Sequence, residues 1–169
     1  MSALSSLNVL LVDDNRHMRT IAATILSTVG VRNLHQAADG AAAIEALTTF
    51  PADIAIVDFK MSPMNGVEFT RLVRAGHGGA NPFLPVIMMT GHADRHRVAA
   101  ARDAGVTEFI VKPMTAQAVL SRVQAVIFKQ RPFVKGEAYF GPCRRRLGAG
   151  GPPGMGRRAS DPGQALDLG

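Results

Sequence analysis

Cysteine is nearly missing from this 169-residue chain: Cys143 stands alone. No disulfide can close within it, which fits a reducing compartment. Long apolar runs are missing too, and nothing approaches the roughly 18 consecutive apolar residues of a membrane span. Membrane insertion is therefore not expected, although 47% of the residues are hydrophobic, enough for a packed core. The apolar stretch Val9–Val12 has no basic residue ahead of it and runs straight into Asp13 and Asp14. That is unlike a secretory signal, and the expected location is cytoplasmic. His17, His35, His77 and His96 lack metal-ligand spacing and read as surface residues. No nucleophile and base pair stands out, so the chain is not expected to be an enzyme beyond acting on itself.

What is present is a basic surplus with a location. Residues 1–129 hold 12 Lys+Arg against 10 Asp+Glu, whereas residues 130–169 hold 7 against 3. Of the net +6, +4 thus lies in the last forty residues, which suggests an anionic partner for that segment.

Ahead of residue 130, short apolar runs alternate with stretches of helical period, the pattern of repeated strand-helix units and a parallel sheet. Strands are expected at Asn8–Val12, Asn33–Ala37, Ile54–Val57, Val86–Met89 and Glu108–Val111. Helices are expected at Arg16–Val29, Ala41–Thr49, Gly66–Arg74, Asp94–Ala104 and Ala116–Lys129. The first, third and fourth strands are apolar at nearly every position, as central strands covered on both faces are. Beyond residue 129 the chain has 9 Gly and 5 Pro in forty residues and no period past Arg131. No second core is expected there, only a disordered tail with a few anchors, Phe133, Val134, Tyr139 and Phe140. The division is therefore 1–129 for the domain and 130–169 for the tail.

In sheets of this kind ligand groups gather at the carboxyl ends of the strands. Here those ends carry Asp13 and Asp14, Asp58, Thr90 and Lys112. Carboxylates, a hydroxyl and an ammonium suit Mg²⁺ together with a phosphoryl group. Asp58 is the natural nucleophile, because a carboxylate forms an acyl phosphate once cations offset the repulsion. Lys112 would hold one phosphoryl oxygen and Thr90 another.

The acidic pair in VLLVDDN, Asp58 in IVDFKMSPMNG, Thr90 in VIMMTGHA and Lys112-Pro113 in EFIVKP, taken in this order, resemble the receiver domain of bacterial response regulators, in the manner of CheY. The resemblance implies a flavodoxin-like, doubly wound five-stranded α/β fold and phosphorylation by a histidine kinase or phosphotransfer protein. It implies Mg²⁺ held by Asp13, Asp14, Asp58 and the backbone carbonyl of Lys60. Thr90 and Phe109 would form a switch pair that remodels the surface over the fourth helix, fifth strand and fifth helix. A cis Lys112-Pro113 bond is also implied. Proline stands one place late in Met61-Ser62-Pro63-Met64, so a slightly different loop is expected there.

The tail has two basic clusters, Arg144-Arg145-Arg146 and Arg157-Arg158, the second just ahead of Ser160-Asp161. The flexible spacer between them has an r.m.s. span of roughly 18 Å, so both can close on one small ligand. Arginine forks suit phosphate and guanine edges, aspartate suits guanine donors, and an aromatic ring can stack on a base. Arg158 to Asp161 also has the RxxD spacing found at the inhibitory cyclic di-GMP site of diguanylate cyclases.

RPFVKGEAYFGPCRRR followed by GRRASD resembles the arginine-rich extension of the Cle group of CheY-like proteins. That resemblance implies cyclic di-GMP gripped by Arg144, Arg145, Arg146, Arg157, Arg158, Ser160 and Asp161, with Tyr139 as a stacking residue. It also implies a flagellar motor switch protein as partner. The alternatives are an ordinary receiver or phosphate sink whose tail is idle or binds nucleic acid without sequence preference. No groove-reading element for specific nucleic acid is present.

Overall fold

The computed structural model describes residues 3–91, 97–128, 132–135 and 139–142. Five strands, β1 (Asn8–Val12), β2 (Asn33–Ala37), β3 (Ile54–Asp58), β4 (Val86–Thr90) and β5 (Glu108–Val111), form one parallel sheet in the order β2-β1-β3-β4-β5. Helices α1 (Arg16–Thr28), α2 (Gly40–Ala46), α3 (Gly66–Arg74), α4 (Val98–Ala104) and α5 (Ala116–Phe128) connect them. This is the doubly wound, flavodoxin-like arrangement expected from the alternation of apolar runs.

Side chains alternate across a strand, and here the alternation builds two cores. Leu10, Val12, Ala55, Val57, Val86 and Met88 pack against α2, α3 and α4, around Ala43, Phe69, Val73 and Ala101. Val9, Leu11, Ile54, Ile56, Ile87 and Met89 pack on the other face against α1 and α5, around Leu26, Val119 and Val123. Strands β3 and β4 are buried at every residue.

Four helices begin on a side-chain cap, α5 among them, where Thr115 Oγ1 accepts from the Ala118 amide at 3.1 Å. Asn15 accepts from the Met18 amide and Asp39 from the Ala42 amide, and Asn65 and Glu68 exchange a reciprocal pair at the start of α3. Helix α2 is shorter than its expected range of 41–49. Past Ala46 the chain tightens, with the Thr48 amide bonded to the Glu45 carbonyl and the Thr49 amide to that of Ala46. The Thr48 hydroxyl also donates to the Glu45 carbonyl at 2.6 Å, the local competition by which threonine ends helices. Strands β3 and β4 each run one residue further than expected, taking in Asp58 and Thr90. Both Ser62-Pro63 and Lys112-Pro113 are cis, the second as implied by the resemblance.

Of the tail, residues 132–135 and 139–142 are described, and they hold a short two-stranded sheet. Strands β6 (Phe133–Lys135) and β7 (Phe140–Pro142) pair antiparallel, Phe133 facing Pro142 and Lys135 facing Phe140. Val134 and Tyr139 are buried together, and the Tyr139 hydroxyl donates to the Pro142 carbonyl at 2.7 Å. Three-residue strands are too short to leave a readable period, and their stability comes from what they pack on.

That support is Arg74, in the last turn of α3. Its side chain is buried without a carboxylate partner among the bonds it makes: Nε and Nη2 donate to the Gly105 carbonyl, Nη1 to those of Pro82 and Leu84, and Nη2 to Thr107 Oγ1. The Phe133 ring centroid lies 5.0 Å from its guanidinium carbon, an attractive cation–π distance. Phe133 also meets Phe83 edge-on at 5.1 Å. Burial draws the Arg74 pKa down to about 10, opposed by Tyr139, so it stays charged at neutral pH.

Candidate functional site

Strand order determines the site. Because β1 lies between β2 and β3, the crevice beyond the carboxyl ends of β1 and β3 is where the direction of winding reverses. The two strands run in register from Val9 beside Ile54 to Val12 beside Val57, so Asp13 and Asp58 leave the sheet as neighbours. Carboxylate oxygens of Asp13, Asp14 and Asp58 lie within 4.8 Å of one another, the only such acidic group among the described residues.

Their environments differ. Asp13 is 1% exposed and Asp58 5%, whereas Asp14 faces solvent. Burial pushes the Asp13 carboxyl above its usual value; the hydrogen bond from the Asn15 amide, at 2.9 Å, works against this. Burial also raises Asp58, and the Lys112 ammonium is the main opposing influence. Lys112 Nζ lies 2.6 Å from Asp58 Oδ1. An ion pair that leaves one carboxylate raised, beside two more carboxylates, is a site with more negative charge than its own cation offsets.

Thr90 is buried at the end of β4, and its carbonyl accepts from the Lys112 amide at 2.7 Å, tying the two strand ends together. Phe109, on β5 opposite Met88, is half-buried against the α4 side of the sheet, with Arg102 6.0 Å from its ring. Lys60 is exposed in the loop after β3. It borders a cleft of about 390 Å³ with Asp14, Phe59, Met61, Ser62, Asn65 and Arg97. Arg97 sits 5.4 Å from the Phe59 ring.

Asn15 and Arg19 were not anticipated as parts of the site. The Arg19 guanidinium donates to the Asp13 carbonyl at 2.8 Å, so the start of α1 fixes the acidic pair from both sides. The Asn15 N-cap signal was available in the sequence; the reach of Arg19 was not. Tyr139 is buried inside the hairpin rather than offered to solvent. Arg144, Arg145, Arg146, Arg157, Arg158, Ser160 and Asp161 lie outside the described residues.

The sequence matches the profile of the response regulator receiver domain over residues 9–124. It is 34% identical over 120 residues to the chemotaxis protein CheY of Pseudomonas aeruginosa, covering 71% of this chain and 95% of that one. It is 32% identical over 121 residues to CheY-3 of Vibrio cholerae, covering 72% and 92%. Among solved structures, the chemotaxis protein CheY4 of Vibrio cholerae superposes with a TM-score of 0.65 at 29% identity, over 72% of this chain and 98% of that one. The receiver domain of the sensor histidine kinase PA1611 of Pseudomonas aeruginosa, with a magnesium ion coordinated in its active site cleft, gives a TM-score of 0.62 at 25% identity, over 70% and 94%.

Proposed function

The chain belongs to the response regulator receiver domain family and is CheY-like, and from that premise we propose that it takes a phosphoryl group on Asp58 and binds cyclic di-GMP through its arginine-rich tail. The observation that carries the first half is the Lys112–Asp58 pair at 2.6 Å within a group of three carboxylates.

Asp13, Asp14 and Asp58 fit a hard divalent cation: oxygen donors only, two of them buried and held at raised pKa by desolvation, which a cation would relieve. Mg²⁺ bound there, with the Lys60 carbonyl as a further ligand, would supply charge neutralisation for the incoming phosphate. The protein does the rest. An Asp58 carboxylate oxygen forms the new bond to phosphorus as the bond to the donor's leaving group breaks. The donor is a phosphohistidine of a histidine kinase or phosphotransfer protein. Lys112 passes from the carboxylate to a phosphoryl oxygen, and Thr90 donates to another. Neither step needs a protein base, since positioning and charge carry phosphoryl transfer. Thr90 and Phe109 then act as the switch pair, and the outer surface of α4, β5 and α5 carries the signal to a flagellar motor switch protein.

The tail lies outside the family match, and its reading rests on residues 144–146 and 157–161, five arginines with a serine and an aspartate. Their chemistry fits a ligand with two phosphates and two guanines. Calorimetric titration of the full chain with cyclic di-GMP tests it: saturable binding, lost when the five arginines become alanine, is expected. Equal heat from the variant would exclude the tail as the binding site. Phosphorylation is tested by intact mass after exposure to a small acyl phosphate, with one phosphoryl group added to the chain and none to Asp58→Asn.

A further inference from the structure

The hairpin β6–β7 is seated on the turn that joins α4 to β5. Gly105 ends α4 in the left-handed conformation at φ 104°, and three residues later β5 begins. The Gly105 carbonyl accepts two of the Arg74 bonds, and Thr107 Oγ1 both accepts from Arg74 and receives the Val86 amide at 3.1 Å. Arg74 thus ties together Gly105 at the end of α4 and Thr107 just ahead of β5, and its guanidinium carbon lies over the Phe133 ring. On β7 the fit is backbone against backbone. A Cβ added at Gly141 would stand 2.9 Å from the Gly105 Cα and 2.7 Å from the Tyr139 hydroxyl, closer than real Cβ atoms come. A seat with no slack is sensitive to movement in either sense: a shift of the turn toward β7 clashes, and a shift away gives up the contact. The arginine run at 144–146 begins two residues beyond Pro142, within about 7 Å of extended chain.

We propose that this hairpin is a relay between the phosphoryl site and the arginine-rich tail, docked while Asp58 is free and released when phosphorylation moves the α4–β5 turn. The proposal rests on the reading of Asp58, Thr90 and Phe109 given above. Docked and released hairpin are the two states that both ends bias. The tail's arginines are tethered at the turn in one state and joined to the domain by a longer free linker in the other. By reciprocity, anything that releases the hairpin must strengthen binding at the phosphoryl site by the same factor.

The chain carries its own reporter. It has one tyrosine and no tryptophan, so tyrosine emission comes from Tyr139 alone, in the hairpin. Acrylamide quenching of that emission in the full chain, with Mg²⁺ and with or without beryllofluoride as phosphoryl stand-in, reads docking directly. ¹⁹F resonances of bound beryllofluoride report occupancy of the site in the same samples. At least a twofold rise in the quenching constant on saturation is expected, absent in Asp58→Asn. Gly141→Ala should show high quenching throughout and bind beryllofluoride more tightly than the parent. Bound beryllofluoride with unchanged quenching would overturn the relay while leaving the phosphoacceptor standing. Low quenching in Gly141→Ala would overturn the seat itself. No bound ¹⁹F signal under saturating conditions would remove the phosphoacceptor reading and the relay with it.

Discussion

Lys112 and Asp58 leave the ends of two strands separated by β4 and meet at 2.6 Å, with Thr90 at the end of β4 bonded through its carbonyl to the Lys112 amide. Removing this ammonium takes away the largest influence holding the Asp58 carboxyl down. Lys112→Ala should therefore move the Asp58 titration further upward, followed by the carboxyl carbon resonance of Asp58. Uptake of phosphoryl from a small acyl phosphate should slow on the order of 100-fold, the usual effect of losing one preorganised charge at a reacting centre.

Asp13 is buried, and its desolvation outweighs the Asn15 amide bond that favours its charge. Asp13→Asn keeps an oxygen for that amide and drops the charge. In metal-free buffer at pH 7 the variant should be more stable, with a thermal midpoint higher by roughly 2 to 4 °C for each kcal/mol relieved. The same variant should lose the stabilisation that added Mg²⁺ gives the parent. Differential scanning fluorimetry with and without magnesium separates the two effects.

The sign of the pH dependence follows from the same two carboxyls. Both have folded-state pKa values above those of the unfolded chain. Between the two values the folded state binds the extra protons, so stability from these groups rises as pH falls from the raised folded values toward the ordinary carboxylate range. Above the raised values their ionised forms cost stability. Urea midpoints of the parent, compared with an Asp13→Asn, Asp58→Asn double variant across pH 4 to 7, should show the excess only in the parent. Magnesium affinity should weaken as pH falls through that window, since protons and the cation compete for the same oxygens.

Arg74 supplies every donor of its guanidinium to the α3–β4 loop, Gly105 and Thr107. Arg74→Met leaves buried carbonyls at Leu84 and Gly105 unsatisfied and should cost about 2 to 4 kcal/mol in urea denaturation. Arg74→Lys should rescue little, because a point ammonium cannot reach acceptors spread around a planar fork.

The sheet and its five helices were legible because central strands are continuous apolar runs and the helices carry a 3.6 period. The clustering of Asp13, Asp14, Asp58, Thr90 and Lys112 at strand ends could be read from that alternation, since a parallel sheet aligns those ends. Arg74 was hidden for the opposite reason: an arginine in the last turn of an amphipathic helix looks like a solvated end, and only the loop folding back over it buries it. The hairpin escaped because three-residue strands among glycines and prolines leave no period, although Phe133, Val134 and Tyr139 marked the segment as more than linker. The short α2 turned on Thr48, whose hydroxyl competes with the helix in a way that helical spacing alone does not reveal.

The alternation of β3 between two cores has a consequence for how faults would show. Inserting one residue into β3 would swap Ala55 and Val57 with Ile54 and Ile56, push each into a core shaped for the other, and turn Asp58 away from Asp13 at the same stroke. Misthreading the strand and losing the acidic pocket are one event. A magnesium titration of this protein is therefore also a head count of correctly threaded molecules.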